Sequence, residues 1–284
     1  MDKITKGVVP CAGMGTRFLP ITKSLPKELL PVIDTPVLQY IIDEFVNSGI
    51  TDILLIINAA KLAIKHYFEP NNAIIDKLLK AGKHNEASML QELHKRANIV
   101  FEYQEQPKGS GDAVLHARNF VGEDVFALAW GDDLIVSQIP AVAQLIQAYN
   151  SLGTSILGVQ EILTDDIVKY GIPRIKSQQG DSYLCSEIVE KPSLDKVPSR
   201  LAALGRYILT PDIFDEITST RQNNSGELHL TVALNSLSSK GQLWATKFEG
   251  TRFDMGDKLG ALKATVHFGI ERFGDAFRDY LQQI

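Results

Sequence analysis

Apolar positions along the chain switch between two spacings. "KGVVPCAG" (residues 6–13) is a short continuous apolar run that breaks into glycine. It predicts a buried strand feeding a loop. In "TPVLQYIIDEFVNSG" (35–49), Val37, Leu38, Ile41, Ile42, Phe45 and Val46 recur at helical spacing. Thr35 is placed to cap that helix, Pro36 suits its first turn and Gly49 suits its end. "DILLIIN" (52–58) is again continuously apolar, as expected of a strand covered on both faces. Strand, loop, helix, strand is a βαβ unit and the start of a parallel sheet.

The alternation continues. "KLAIKHYF" and the stretch from Asn72 to Arg96 predict helices, "NIVFEY" a strand and "SGDAVLHARNFV" a helix. "DVFALAWGDD" predicts a strand ending in two carboxylates, followed by a helix in "PAVAQLIQAYNSLG" and a strand in "TSILGVQEI". Tyr170 to Leu209 predicts several strands and turns. Helices resume at "PDIFDEI" and "GELHLTVALNSL", with a strand at "QLWATKF" and a mostly helical end from Asp257. No repeat, low-complexity tract or clear linker interrupts this. The pattern is one α/β body with an inserted or appended mixed sheet after about residue 165.

Bulk properties narrow the function. The 284 residues are 44% hydrophobic and 22% charged, an ordinary balance for one large domain or two intimate ones. The net charge of −5, without a basic run, argues against nucleic acid as a partner. No stretch is long enough for a membrane span, and the first apolar run is too short for a signal sequence. Two distant cysteines, Cys11 and Cys185, form neither a disulfide framework nor a zinc pattern. A cytoplasmic protein is expected.

The loop after the first strand carries the chemistry. "PCAGMGTRFLPITKSLPKELLPVIDTP" (10–36) combines Gly13 and Gly15 with Arg17, Lys27 and flanking prolines. It sits at a strand's carboxyl end, where open parallel sheets bind ligands. Glycines let backbone N–H groups approach an anion. The dinucleotide fingerprint fails, because Phe18 stands where its third glycine belongs. No P-loop string and no G-x-S-x-G occur. What remains is a glycine loop with fixed cations: Arg17, which can grip phosphate in bidentate fashion, and Lys27, held between Pro26 and Pro31.

"AGMGTRFLPITKSLPKELLPVIDTPVLQY" resembles the signature G-x-G-T-R-x-x-P-x-T-x-x-x-P-K-x-x-x-P of sugar-1-phosphate nucleotidylyltransferases. Later segments are similar in order: "EQPKGSGDAV" to the base-binding segment, "WGDD" to the metal-binding turn, "KYG" and "VEKP" to the sugar-binding strands. "FDMGDKLGALKATVHFGI" and "GELHLTVAL" resemble the branch that uses UTP and glucose 1-phosphate more than the thymidylyltransferase branch. The resemblance spans about residues 5–275. It implies a Rossmann-like nucleotidyltransferase fold with a central mixed, mostly parallel sheet flanked by helices and a smaller mixed sheet in the second half. It implies a single domain over 1–284, with about 1–165 binding the nucleotide and about 166–284 binding the sugar and holding the carboxyl-terminal helices. It further implies Mg2+, UTP and glucose 1-phosphate, and a homodimer or homotetramer.

The chemistry implied by the resemblance is attack of the sugar phosphate on the α-phosphorus of UTP. That nucleophile is largely dianionic above about pH 6, so no general base is needed, and none of the six histidines is required. Repulsion between two polyanions is the obstacle, so positioning and charge neutralisation carry the rate. By resemblance, Arg17 neutralises the triphosphate, and Lys27 and Lys191 hold phosphate oxygens. Asp132 and Asp254 hold the metal. Asp133 beside them is either a supporting residue or solvated. Ala12, Gly13 and Gly15 admit the nucleotide, Gln106 matches the uracil edge, and Gly111 opens a helix near base or ribose. Glu190 accepts from sugar hydroxyls and Gly171 leaves room for the hexose. Val232, His229 and Pro173 depart from the family's usual Asp, Gln and non-proline residues, which bears on hexose selectivity. Another base or sugar, or a non-catalytic nucleotide-sugar-binding homologue, stays open as an alternative. Leu259, Leu262, Val266, Phe273, Phe277 and Leu281 either face a second subunit or pack in the core.

Overall fold

The computed structural model of the chain describes residues 3–223 and 226–284. Strand β1 (Lys6–Pro10) leads through the glycine loop and three 3-10 turns to a ribbon of β2 (Pro31–Val32) and β3 (Thr35–Pro36), then to α1 (Val37–Asn47). Next come β4 (Asp52–Ile57), α2 (Leu62–Phe68), α3 (Asn72–Lys80), α4 (His84–Lys95) and β5 (Asn98–Tyr103). They are followed by α5 (Ser110–Leu115), α6 (Arg118–Val121), β6 (Phe126–Ala129), β7 (Asp133–Val136), α7 (Ala141–Leu152) and β8 (Ser155–Glu161). The second half holds β9 (Gly171–Gln179), β10 (Ser182–Glu190), β11 (Leu201–Leu209), α8 (Asp212–Asn223) and α9 (Leu230–Ser239). It ends with β12 (Leu243–Lys247), β13 (Thr251–Asp254), α10 (Lys258–Phe273) and α11 (Asp275–Gln282).

One nine-stranded sheet runs in the order β5-β4-β1-β6-β11-β8-β12-β10-β9. The first four are mutually parallel, the βαβ arrangement expected from their apolar runs. Strand β11 enters antiparallel between β6 and β8. Strands β12, β10 and β9 extend the far end. Beside the sheet, β7 pairs with β13.

Side chains of β4 show why its run is apolar throughout. Ile53, Leu55 and Ile57 join a core with Ile41 and Phe45 of α1 and Leu145 of α7. Leu54 and Ile56 join the opposite core, with Val114 of α5, Phe214 of α8 and Leu234 of α9. Alternate residues of a strand face opposite sides, and both sides here are covered.

Two local expectations change. Thr35 does not cap α1: Pro36 is the N-cap and offers no side-chain bond, while the Val37 N–H donates to Leu30 O at 3.1 Å. The carbonyl just ahead of the ribbon does the work of a cap. Gly49 ends the helix as expected, at φ +88°, with Ile50 N–H donating to Phe45 O and Gly49 N–H to Val46 O. The strand "DVFALAWGDD" stops at Ala129. Trp130 to Asp132 turn away because the Asp132 carbonyl accepts from Met255 N–H at 2.8 Å, and Asp133 opens β7. Of the carboxyl-terminal apolar residues, Leu259, Leu262 and Phe273 are exposed. No helix among the described residues is long and apolar enough to cross a membrane.

A buried ion pair fastens the opening loop to the turn that follows β4. Glu28 (1% exposed) and Lys61 (6%) meet at 2.8 and 2.7 Å from Nζ to the two carboxylate oxygens. Burial pushes the Glu28 carboxyl up, and Lys61 and Lys27 only partly pull it back. Removing one partner leaves an uncompensated buried charge. Lys61→Met is therefore expected to cost about 3–5 kcal/mol at neutral pH in urea unfolding. With its folded pKa above the unfolded value, ionised Glu28 weakens the fold. The deficit should shrink as the pH falls and Glu28 takes up a proton; a deficit independent of pH would contradict this.

Candidate active site

Strands β1 and β6 are parallel neighbours, with Val8 opposite Leu128. Their carboxyl ends therefore bring the glycine loop and the Gly-Asp-Asp turn to one edge. The two pack closely. A Cβ on Gly131 would lie 3.1 Å from both Cys11 Sγ and Glu28 Cγ. Gly15 has φ +67°, its carbonyl accepts from Thr22 Oγ1 at 2.8 Å, and a Cβ there would meet Lys27 Cβ at 3.3 Å. The loop thus curls back over Lys27.

Lys27 Nζ donates to Asp132 Oδ2 at 2.5 Å. Burial would raise the Asp132 carboxyl, but Lys27, Arg17 and Arg252 outweigh it and hold it below the usual carboxylate range. Burial pulls Lys27 down, while Asp132 and Glu28 more than restore it. Asp254 lies opposite Asp133 in the β7–β13 ribbon, and its Oδ1 accepts from Gly256 N–H at 2.9 Å. A Cβ on Gly256 would lie 2.7 Å from Asp132 Oδ2, 3.1 Å from Asp254 Oδ1 and 3.4 Å from Arg17 Nη1. Arg17 Nη1 also donates to Gly256 O at 3.0 Å. Three side chains far apart in sequence so converge on one bare backbone position.

This donor set fits a magnesium-like ion. Carboxylate oxygens are the hard ligands such an ion takes, and it commonly needs only one or two of them when substrate phosphates complete the shell. No group of three or more His, Cys, Asp or Glu side chains able to hold a metal occurs among the described residues, and Asp132 and Asp254 are the two carboxylates that converge on Gly256.

Arg252 is a site residue that the sequence pattern does not reveal. Its Nε donates to Asp133 Oδ1 at 2.6 Å, its Nη1 to the Tyr170 hydroxyl at 3.0 Å, and its Nη2 stands 3.6 Å from Asp254 Oδ2. Burial pushes the Asp133 carboxyl up, with Arg252 opposing. Asp133 is thus occupied by Arg252, and its backbone carbonyl accepts from the buried Arg206 at 2.7 Å. Arg206 in turn pairs with Glu44 of α1 at 2.7 Å. Only the folded sheet brings these groups together.

A cavity of about 310 Å³ adjoins this corner, and Asp133 and Arg252 form part of its wall. The expected sugar-side residues Gly171, Glu190 and Lys191 line it too. Glu190 Oε2 accepts from Thr231 Oγ1 at 2.9 Å, and a Cβ on Gly171 would lie 3.2 Å from that same oxygen. Lys191 takes φ +46° and its N–H donates to Tyr170 O at 3.0 Å, which turns the chain at the end of β10. His229 lines the cavity, whereas Val232 is exposed. Pro173 lies on β9, an edge strand, where a missing N–H is tolerated.

On the other flank, Ala12 is buried and its carbonyl accepts from Asn58 Nδ2 at 2.7 Å, while Gly13 is exposed. Gln106 is exposed beyond β5. Gln104, two residues earlier, is buried and bonded to Asp112. Gly111 packs tightly: its N–H donates to Leu228 O at 2.7 Å, and a Cβ would lie 3.1 Å from that oxygen. The start of α5 is thereby held against the chain leading into α9.

Comparison with known proteins extends over nearly the whole chain. The family described as Nucleotidyl transferase matches residues 6–267. "UTP--glucose-1-phosphate uridylyltransferase YngB" of Bacillus subtilis (strain 168) is 42% identical over 270 residues, covering 95% of this chain and 91% of its own. "UTP--glucose-1-phosphate uridylyltransferase 2" of Staphylococcus saprophyticus is 40% identical over 286 residues, covering 100% of this chain and 99% of its own. Among solved structures, a UTP-bound UGPase from Acinetobacter baumannii superposes with a TM-score of 0.91 at 33% identity, over 99% of this chain and 100% of that one. A UDP-glucose pyrophosphorylase complexed with UDP-glucose superposes with a TM-score of 0.85 at 32% identity, over 95% of this chain and 100% of that one. A glycine loop, paired carboxylates and sequence similarity over nearly the whole length lead to one conclusion: the chain belongs to the nucleotidyl transferase family.

Proposed function

We propose that this protein transfers the uridylyl group of UTP to glucose 1-phosphate, giving UDP-glucose and pyrophosphate. The observation that carries the proposal is the convergence of Arg17, Asp132 and Asp254 on Gly256, next to Lys27 and to the cavity that holds Glu190. The names of the relatives and the ligands in the related structures supply the substrates.

The sugar phosphate attacks the α-phosphorus in line, a P–O bond forms, and pyrophosphate leaves with the electron pair of the broken bond. Neither reactant gives up a proton near neutral pH. The protein's task is to let two polyanions approach. Arg17 neutralises the triphosphate and the leaving pyrophosphate. Lys27 and Lys191 hold oxygens of the transferred and incoming phosphates. Each such charge-assisted contact is worth on the order of 2–4 kcal/mol of barrier, by comparison with other electrostatic stabilisers. Asp132 and Asp254 are the residues to hold Mg2+, which supplies charge neutralisation at the phosphates when bound. Arg252 orients Asp254 and Asp133, while Lys27 holds Oδ2 of Asp132 and its other oxygen is the one offered to the metal. Glu190 accepts from two sugar hydroxyls, with Gly171 leaving the space. Ala12, Gly13 and Gly15 offer bare backbone to the nucleotide, and Gly111 keeps α5 close. On this view residues up to about 165 hold the nucleotide and those after it the sugar.

Pyrophosphate release from UTP plus glucose 1-phosphate tests the proposal. Turnover should require a divalent ion, and Asp132→Asn should lower kcat/KM by roughly 10²–10³-fold. Near-normal turnover in that variant would remove the metal assignment, and a clear preference for dTTP over UTP would remove the substrate. Glu190→Gln is expected to raise the KM for glucose 1-phosphate about tenfold while the KM for UTP holds, since only a sugar contact is weakened. Equal changes in both constants would argue for a structural role instead.

A further inference from the structure

Gln104 and Asp112 form a buried pair that none of these roles uses. Gln104 follows β5 at its carboxyl end, where its N–H donates to Ile57 O at 2.8 Å. Cys11 N–H donates to Ile56 O at 2.7 Å, and Asn58 Nδ2 donates to Ala12 O at 2.7 Å. The ends of β5, β4 and β1 therefore lie side by side, and Gln104 stands in the row that leads to the Ala12–Gly13 backbone. Gln104 is 3% exposed and Asp112 5%. Gln104 Nε2 donates to Asp112 Oδ2 at 2.8 Å. Among the described residues no hydrogen bond reaches Gln104 Oε1. The imidazole of His116 comes to 3.9 Å of Asp112 and 3.7 Å of Glu102.

A side-chain amide has a donor end and an acceptor end of nearly the same shape. Which end faces outward is decided by its partner. A carboxylate only accepts, so Asp112 keeps Nε2 inward and leaves Oε1 as the free end. We propose that Asp112 is a positioning residue for base selectivity: it locks the Gln104 amide with its carbonyl oxygen toward the base, so that a pyrimidine presenting an N–H is accepted and one presenting a lone pair is refused. Uracil carries a hydrogen on N3, and cytosine a lone pair there. Opposed acceptors leave both groups without a partner, the situation that gives polar sites their discrimination. The inference rests on the nucleotide lying against the Ala12–Gly13 loop, as proposed above.

Asp112→Asn keeps the size of the side chain but can accept or donate, so the amide is free to turn over. In the full chain, the ratio of kcat/KM for UTP to that for CTP should fall by about tenfold or more, with the urea midpoint held. Asp112→Ser, which can also donate or accept, should shift the ratio the same way if the first variant folds poorly. Gln104→Leu should lower the ratio too, and adding Asp112→Asn to it should lower it no further. Calorimetric Kd values for UTP and CTP read the same ratio without turnover. Absent turnover with this binding ratio intact would remove the reaction and leave the base reading. An unchanged ratio in Asp112→Asn, or a further fall in the double variant, would overturn the proposal.

Discussion

The ion pair between Lys27 and Asp132 is the constraint on which the site depends. It joins the loop after the first strand to the turn after the sixth, two segments with no reason to meet except that their strands are parallel neighbours. Each partner is costly to bury alone. Together they are stable in a partly buried corner, with Arg17 and Arg252 adding positive charge around Asp132. The same pair places an ammonium and a carboxylate where phosphate and metal are proposed to sit. Structural and chemical demands therefore fall on the same two side chains.

Around that pair, charge is balanced in layers. Glu28 and Lys61 lie beneath the loop, away from solvent. Arg252 spans Asp133 and Asp254 across the ribbon. Arg206 and Glu44 carry the network down to α1. The chain is acidic overall, so the phosphate contacts proposed for Arg17, Lys27 and Lys191 rest on local cations and not on a general positive field.

Much of this is visible in the sequence because the signals are local. The apolar runs of β1 and β4 and the helical spacing of α1 predict the parallel half of the sheet. The glycines, Arg17 and Lys27 stand within one short stretch, and "WGDD" follows an apolar run. What the sequence hides is pairing between distant segments. Nothing near Arg252 announces Asp133, because the register of β7 on β13 decides that contact. Gln104 and Gln106 look alike in a string, and only folding buries the first and exposes the second. Thr35 has the right chemistry for a cap, yet the Leu30 carbonyl reaches the helix first.

Strand β11 has a mechanical consequence. It runs antiparallel between β6 and β8, so one sheet, with a bulge in β11 between Ala203 and Tyr207, connects the strands beneath the glycine loop to those beneath the cavity. Both flanks therefore belong to one sheet. The spacing between the two reactants is then a property of the sheet, set once at folding. Any closing over bound substrates then falls to the rim, the segments that cross the carboxyl edge of that shared floor.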